Sequence, residues 1–304
     1  MRADGCVVAA GALIALIPLF VGNPYILLIL LLANLYVMFA ASWDILVGYA
    51  GQFAFGQALF VGAGAYAVGF LAPRLPAPLC LAAAAILAAA LALAIGLPCL
   101  RLRHAYLSLA TLVAPLILER LVFTFRDVTG GEYGIPVEPF AGRVGLFYVS
   151  LGFALFTVLA LRCIGRGRVG QTWMAIREDD VAALAAGIDI VRYKLAAFIL
   201  CAAIAGVGGG LYAYALRAVA PATFSLDVSF AIITMGVVGG LGTIVGPAVG
   251  AYVLTLAGEA LRGMEHARGI LYAALLVAAM LAFPDGVAGA LAAWRARRRI
   301  PASF

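Results

Sequence analysis

The sequence predicts an all-α polytopic membrane protein of about ten transmembrane helices, with glycine-broken segments and one amphipathic loop helix. Three observations carry this. First, of 304 residues 66% are hydrophobic and 11% charged, with a mean hydropathy of +1.12, whereas a soluble chain has about 45–50% apolar and about 25% charged residues. Second, the charge deficit runs the whole length, so no soluble domain rides on an anchor. At roughly 20 residues per span, the chain has room for about eight to eleven helices in one domain, 1–304. Third, 35 glycines favour close helix approach and interrupted helices, both common in such bundles.

Apolar runs between charged or Gly/Pro punctuation place spans at 6–22, 25–47, 53–72, 76–99, 105–125, 146–164, 194–216, 228–240, 243–260 and 268–284. The first is read as retained: Arg2 precedes the apolar run Cys6–Val21, but Asn23-Pro24 leads straight into another apolar run where a cleaved signal would leave a polar mature chain. The turn-like "GGLGT" between the eighth and ninth runs leaves open two tilted spans or one re-entrant hairpin. Arginine placement supports an even count with both ends in the cytoplasm. Inside segments then hold 13 basic residues and outside segments 6, the asymmetry that membrane insertion imposes. The inside set includes the loop 165–194 and the tail 285–304 with its "RARRR". The net charge of +6 is explained by arginines facing anionic lipid, so no nucleic acid is implied. The five cysteines stand alone, without CxxC or metal spacing, as small hydrophobes.

Composition also narrows the chemistry. An enzyme within the membrane needs clustered acids, histidines or metal ligands. Here Asp44 and Glu119 fall within spans, and His104 and His266 lie far apart at span ends. Catalysis and a metal site are not expected. An ion-coupled carrier needs an ionisable group near the midplane; Asp44 lies near a span end and Glu119 is followed by Arg120, which reads as interfacial or internally paired charge. No Walker A loop exists, because the chain's single lysine, Lys194, sits in "VRYKLAAF". If ATP drives this protein, another chain binds it. Two readings stand: a permease subunit driven from outside, or a stand-alone carrier or channel.

The segment 165–194, "GRGRVGQTWMAIREDDVAALAAGIDIVRYK", is the most informative loop. The spacing predicts one helix from Gln171 to Ala186, with Ile176, Ala183, Leu184 and Gly187 on one side. Arg177, Glu178, Asp179 and Asp180 form a charged patch, and Gly187 stops the helix. Such a helix fits either a partner's groove or ordinary solvent.

In this loop and the span after it, the chain resembles the permease subunits of branched-chain amino acid ABC transporters of the LivM type. "GQTWMAIREDDVAALAAGIDIVRYKLAAFILCAAIAGVGGGLYA" looks like the family's coupling-loop block. Four other blocks agree in order: "WDILVGYAGQFAFGQALFVGAGAYA", "LRLRHAYLSLATL", "DVTGGEYGI" and "GVVGGLGTIVGPAVGAYVL". The likeness covers residues 36 to 286. Family members often have His at Gln57 and Gly-x-Tyr at His104-Ala105-Tyr106.

The resemblance implies an inner-membrane importer of branched-chain or related amino acids, amides, urea or aromatic acids. This chain would pair with a LivH-type permease, two ATPase subunits that bind ATP and Mg, and a periplasmic binding protein. It would carry no cofactor itself. The cytoplasmic coupling helix is expected to meet the ATPase through Arg177, Glu178, Asp179, Ala182, Ala183 and Gly187. Glu178 is placed at its first turn and Ala183 on its buried contact face. Breaks at Gly51, Gly56, Gly239, Gly240 and Gly242 are expected to present free backbone groups to a polar solute. Gln52 and Gln57 reach the same pathway if the helix breaks between Gly51 and Gly56. Outside, Gly130, Gly131 and Glu132, with the loop 217–227, are the expected contacts for the binding protein. One internal echo, "GQALFVGAGAY" against "GTIVGPAVGAY", places 56–66 and 242–252 in equivalent inside-to-outside helices.

Overall fold

The computed structural model describes residues 2–20, 22–100 and 104–260; the expected span at 268–284 and the basic tail lie outside them. In chain order come helices α1 (Arg2–Phe20), α2 (Pro24–Asp44), α3 (Gln57–Leu71), α4 (Ala77–Cys99), α5 (His104–Thr124), α6 (Arg126–Thr129) and α7 (Arg143–Arg166). The loop helices α8 (Arg168–Glu178) and α9 (Asp180–Ala185) follow, then α10 (Ile190–Leu216), α11 (Leu226–Gly239) and α12 (Val245–Ala260). Among the described residues, five helical segments are long and apolar enough to cross a membrane: Pro24–Tyr49, Ala77–Cys99, Tyr106–Thr124, Arg143–Arg166 and Ile190–Leu216. The expected runs near 53–72 and 228–240 form shorter apolar helices.

Among the described residues the architecture is helical but for one short ladder. Strand β1 (Ile135–Pro136) pairs antiparallel with β2 (Ala218–Val219), Ile135 opposite Val219. The sequence reading held both segments as loops at one membrane face; it did not foresee that they pair. Two residues per strand carry no period-2 pattern to read.

The ladder defines one end of the bundle and the 165–194 loop the other, since α7 and α10 connect them. Helix α12 packs along α2. At the loop end, Asp44 at the close of α2 accepts hydrogen bonds from Gly242 N and Ile244 N. At the other end, the Tyr25 hydroxyl meets Glu259 Oε1. Helix α12 therefore runs beside α2 from end to end, and α11 and α12 form two antiparallel helices. As the internal echo requires, α3 and α12 both start at the loop end, but α3 packs on α10 and α4, and α12 on α2 and α11.

Helix α10 sits at the centre because "GVGGG" lets three neighbours reach its backbone. A Cβ at Gly206 would strike Ala84 O of α4, one at Gly209 would strike Val61 O of α3, and one at Gly208 the Phe39 ring of α2. Helix α4 answers with a buried small-residue row at every fourth position, Cys80, Ala84, Ala88, Ala92 and Gly96. Facing outward instead are Leu79, Ile86, Leu87, Leu93 and Leu97, an apolar surface suited to lipid. Close backbone contact of this kind replaces the hydrophobic effect, which lipid tails do not supply.

Packing this tight predicts a clear asymmetry between glycines. Gly209→Leu drives a side chain into the α3 backbone, and overpacking costs about 1–3 kcal/mol or more. Nothing lies within 4 Å of a Cβ at Gly152, so Gly152→Leu is tolerated. Thermal unfolding in detergent should show a lowered midpoint for the first variant alone; equal midpoints would refute this packing.

Candidate functional site

The functional residues converge where α2 breaks. After Asp44 the chain makes one π-helical turn, Ile45–Tyr49, then runs non-helically to Gly56. Gly51, with φ of +68°, supplies the left-handed turn that no side-chain-bearing residue adopts cheaply. The break expected between Gly51 and Gly56 is present. Four backbone groups in and beside it are taken by side chains of this chain. Trp43 Nε1 donates to Ala54 O (2.9 Å) and Ser108 Oγ to Phe53 O (2.6 Å). Phe55 N donates to Thr111 Oγ1 (3.1 Å) and Ala58 N to Ser229 Oγ (2.9 Å). Sequence reasoning missed all four partners. Hydroxyls and an indole inside apolar runs were the available signal.

The second glycine break has the same solution. Gly240 and Gly242 take φ of +104° and +75°, and Asp44 holds the turn through Gly242 N (2.6 Å) and Ile244 N (2.8 Å). Gly239 lies against Gly246, where any Cβ would strike Gly246 O. Asp44 is fully buried and serves as the internal partner of a turn. The two amides separate: Gln57, the first residue of α3, donates through Nε2 to Ser42 Oγ (3.3 Å) and accepts from Cys201 Sγ (3.4 Å). It is packed into the core between α2 and α10. Gln52 is also buried, at 3% exposure, but its Oε1 has no hydrogen-bond partner, and it lines a cavity at the loop end.

The loop helix departs from expectation in a way that shows how it is attached. Instead of one helix over 171–186 there are two, α8 and α9, broken at Asp179 (φ −155°, ψ 106°). The Asp179 side chain causes the restart, accepting from Val181 N (2.8 Å) and Ala182 N (3.0 Å) as an N-cap. Glu178 therefore ends α8; it does not begin a helix. Arg177 turns inward: its Nη1 donates to Gly48 O, and its Nη2 meets Glu178 Oε1 at 2.7 Å. Trp173 Nε1 donates to Tyr193 O (2.8 Å), and Asp180 pairs with Lys194 at 2.7 Å. Gly187, with φ of +82°, lies just beyond α9 as the expected stop.

The single apolar side expected for the loop helix is split by the break. Ile176 and Ala183 are buried in this chain, Ala183 at 5% exposure. Ala182 is exposed, as are Val181 at 77% and Leu184 at 63%. At the far end, Gly130 (φ +76°) and Gly131 (φ +54°) shape a tip on which Glu132 is exposed and Tyr133 stands 98% exposed.

The Asp44 clamp predicts a graded loss. Asp44→Ala strands two backbone N–H groups, at about 1–3 kcal/mol each, while Asp44→Asn keeps one acceptor oxygen. Unfolding midpoints should fall in the order wild type, Asn, Ala; an Ala variant as stable as wild type would remove the clamp.

A family model described as "Branched-chain amino acid transport system / permease component" matches residues 25–283. The chain is 28% identical to the high-affinity branched-chain amino acid transport system permease protein LivM of Escherichia coli (strain K12), covering 90% of this chain and 74% of that protein. It is 28% identical to the probable LivM of Methanocaldococcus jannaschii, over 73% of this chain and 77% of the relative. The probable LivH of the same archaeon is also 28% identical, over 49% of this chain and 50% of its own. No solved structure matches. The chain belongs to the family of branched-chain amino acid transport system permease components.

Proposed function

We propose that this chain is a transmembrane permease subunit of an ATP-binding-cassette importer that moves branched-chain or related amino acids across the inner membrane. The observation that carries this, beside the family, is the two-sidedness of α8–α9. One side is bonded to the broken helix and to α10 through Arg177, Trp173 and Asp180. The other offers Val181 and Leu184 as exposed apolar side chains. A coupling element needs both: a surface for an ATPase and a rigid connection to the spans that must move. Asp44, the nearest thing to an ion-coupling carboxylate, is engaged by a backbone turn, which favours this reading over a stand-alone carrier.

In this reading the chain is one domain of ten spans with both termini cytoplasmic, and the loop end faces the cytoplasm. Two ATPases supply ATP and Mg, a LivH-type permease completes the pathway, and a periplasmic binding protein docks at the ladder end near Gly130, Gly131, Glu132 and the exposed Tyr133. Within the coupling segment, Val181, Ala182 and Leu184 become the contacts, with Glu178 and Asp179 at their edge. Arg177 and Ala183 act on the bundle side.

This division generates a test. Val181→Asp with Leu184→Asp places charge in the contact, where an unpaired buried charge costs about 3–5 kcal/mol. ATPase subunits should be lost on purification while the permease melts normally. Ala183→Asp should lower the melting point of the permease itself. Full ATPase recovery with the double variant would end the docking assignment.

A further inference from the structure

A cavity of about 360 Å³ opens at the loop end between the closing turn of α4, the first turns of α5 and α10, and the broken segment after α2. Its volume falls within the lower range of small-molecule sites, about 300–1,000 Å³. Its lining includes the aliphatic side chains of Leu100, Leu107, Ile190 and Val191 and the polar side chains of Gln52, Asp180 and Lys194. Two features of the polar lining are unusual. Gln52 is buried with its Oε1 unbonded among the described residues, and a buried amide oxygen without a donor is unfavourable unless something supplies one. In the same lining, the Lys194–Asp180 pair brings a cation and an anion 2.7 Å apart, with Lys194 buried. Hydrogen-bond acceptor, anion and cation thus line one cavity together with branched aliphatic side chains.

We propose that this cavity is a holding site for an amino-acid zwitterion with a branched aliphatic side chain. Its ammonium donates to Gln52 Oε1 and the Asp180 carboxylate, its carboxylate accepts from Lys194 Nζ, and its side chain lies against Leu107, Ile190 and Val191. The proposal rests on the reading of the chain as an amino-acid permease subunit and adds where, within this subunit, the solute sits. Asp180 is also the first residue of α9, so the anion of the site belongs to the segment offered to the ATPase. Occupancy is thereby tied to the position of α9.

The test uses the importer assembled with its partner subunits and freed of binding protein, with radiolabelled leucine as the probe. Leucine should bind saturably. Leucinamide, which lacks the carboxylate, and 4-methylpentanoate, which lacks the ammonium, should compete at least about tenfold more weakly than valine. Leu107→Trp and Val191→Trp fill the cavity from α5 and α10 and should each weaken binding by about tenfold or more. Leu109→Trp, at an exposed position outside the cavity, should bind as wild type. Gln52→Leu removes the unbonded oxygen without adding bulk and should also weaken binding. Retained ATPase subunits report the fold of each variant. Equal competition by the three compounds, or wild-type binding in all three cavity variants, overturns the site. If wild type with its binding protein imports no amino acid, the permease reading falls and takes this site with it. Intact uptake with unaltered binding in the variants removes the site alone.

Discussion

A helix interrupted inside an apolar bundle must have every freed N–H and C=O taken by another protein atom, since lipid offers no partner and each orphan costs several kcal/mol. The rest of this structure depends on how that constraint is met between Asp44 and Ala58. Backbone bonds such as Gln52 N to Leu46 O (2.9 Å) satisfy part of it, and the side-chain partners are Trp43 from α2, Ser108 and Thr111 from α5, and Ser229 from α11. None of these side chains lies within the broken segment, so the break depends on the assembled bundle. Asp44 extends the logic by bonding the turn between α11 and α12. Two interruptions about 200 residues apart in sequence are thus held at one place.

The segment α8–α9, for which we propose the coupling role, meets the bundle at that same place. Gly48 carries the carbonyl that Arg177 takes, a Cβ there would strike both Asp44 and Gly242, and Gly51 backs directly onto the Arg177 side chain. A push on α8 reaches the broken helix and the α11–α12 turn through contacts of one or two atoms. It reaches α10 through Trp173 and Asp180. Packed elements with few intervening contacts move as rigid bodies and do not absorb displacement, which suits the coupling role proposed for α8–α9.

Around this junction the bundle is stiff. The glycines of α10 and the small-residue row of α4 bring backbones into contact, leaving no soft side-chain layer. Deeper in the bundle, Asn34 Nδ2 donates to Ser150 Oγ at 3.1 Å and the Tyr252 hydroxyl donates to Asn34 Oδ1. This interhelical network ties α2, α7 and α12, as buried polar groups between membrane helices commonly do.

The sequence by itself determined the class of the molecule. Composition, the length of apolar runs and the positions of glycines are one-dimensional properties, and they sufficed to mark the five long apolar helices, the interruption between Gly51 and Gly56 and the stop at Gly187. The family blocks were legible for the same reason. Which side chain meets which backbone group was not legible. Asp44 and Ile244 are brought together by packing alone, as are Arg177 and Gly48, and Gln57 and Cys201. Gln52 and Gln57 look equivalent in sequence, five positions apart, yet one is bonded within the core and the other lines a cavity, because the chain between them is not helical. Ala183 and Leu184 are neighbours on a paper helix, but the N-cap at Asp179 reorients α9 so that one faces the bundle and the other solvent. Local pattern sets what a segment can become; the facing of each side chain is decided by neighbours far away in sequence, through contacts that no periodicity encodes.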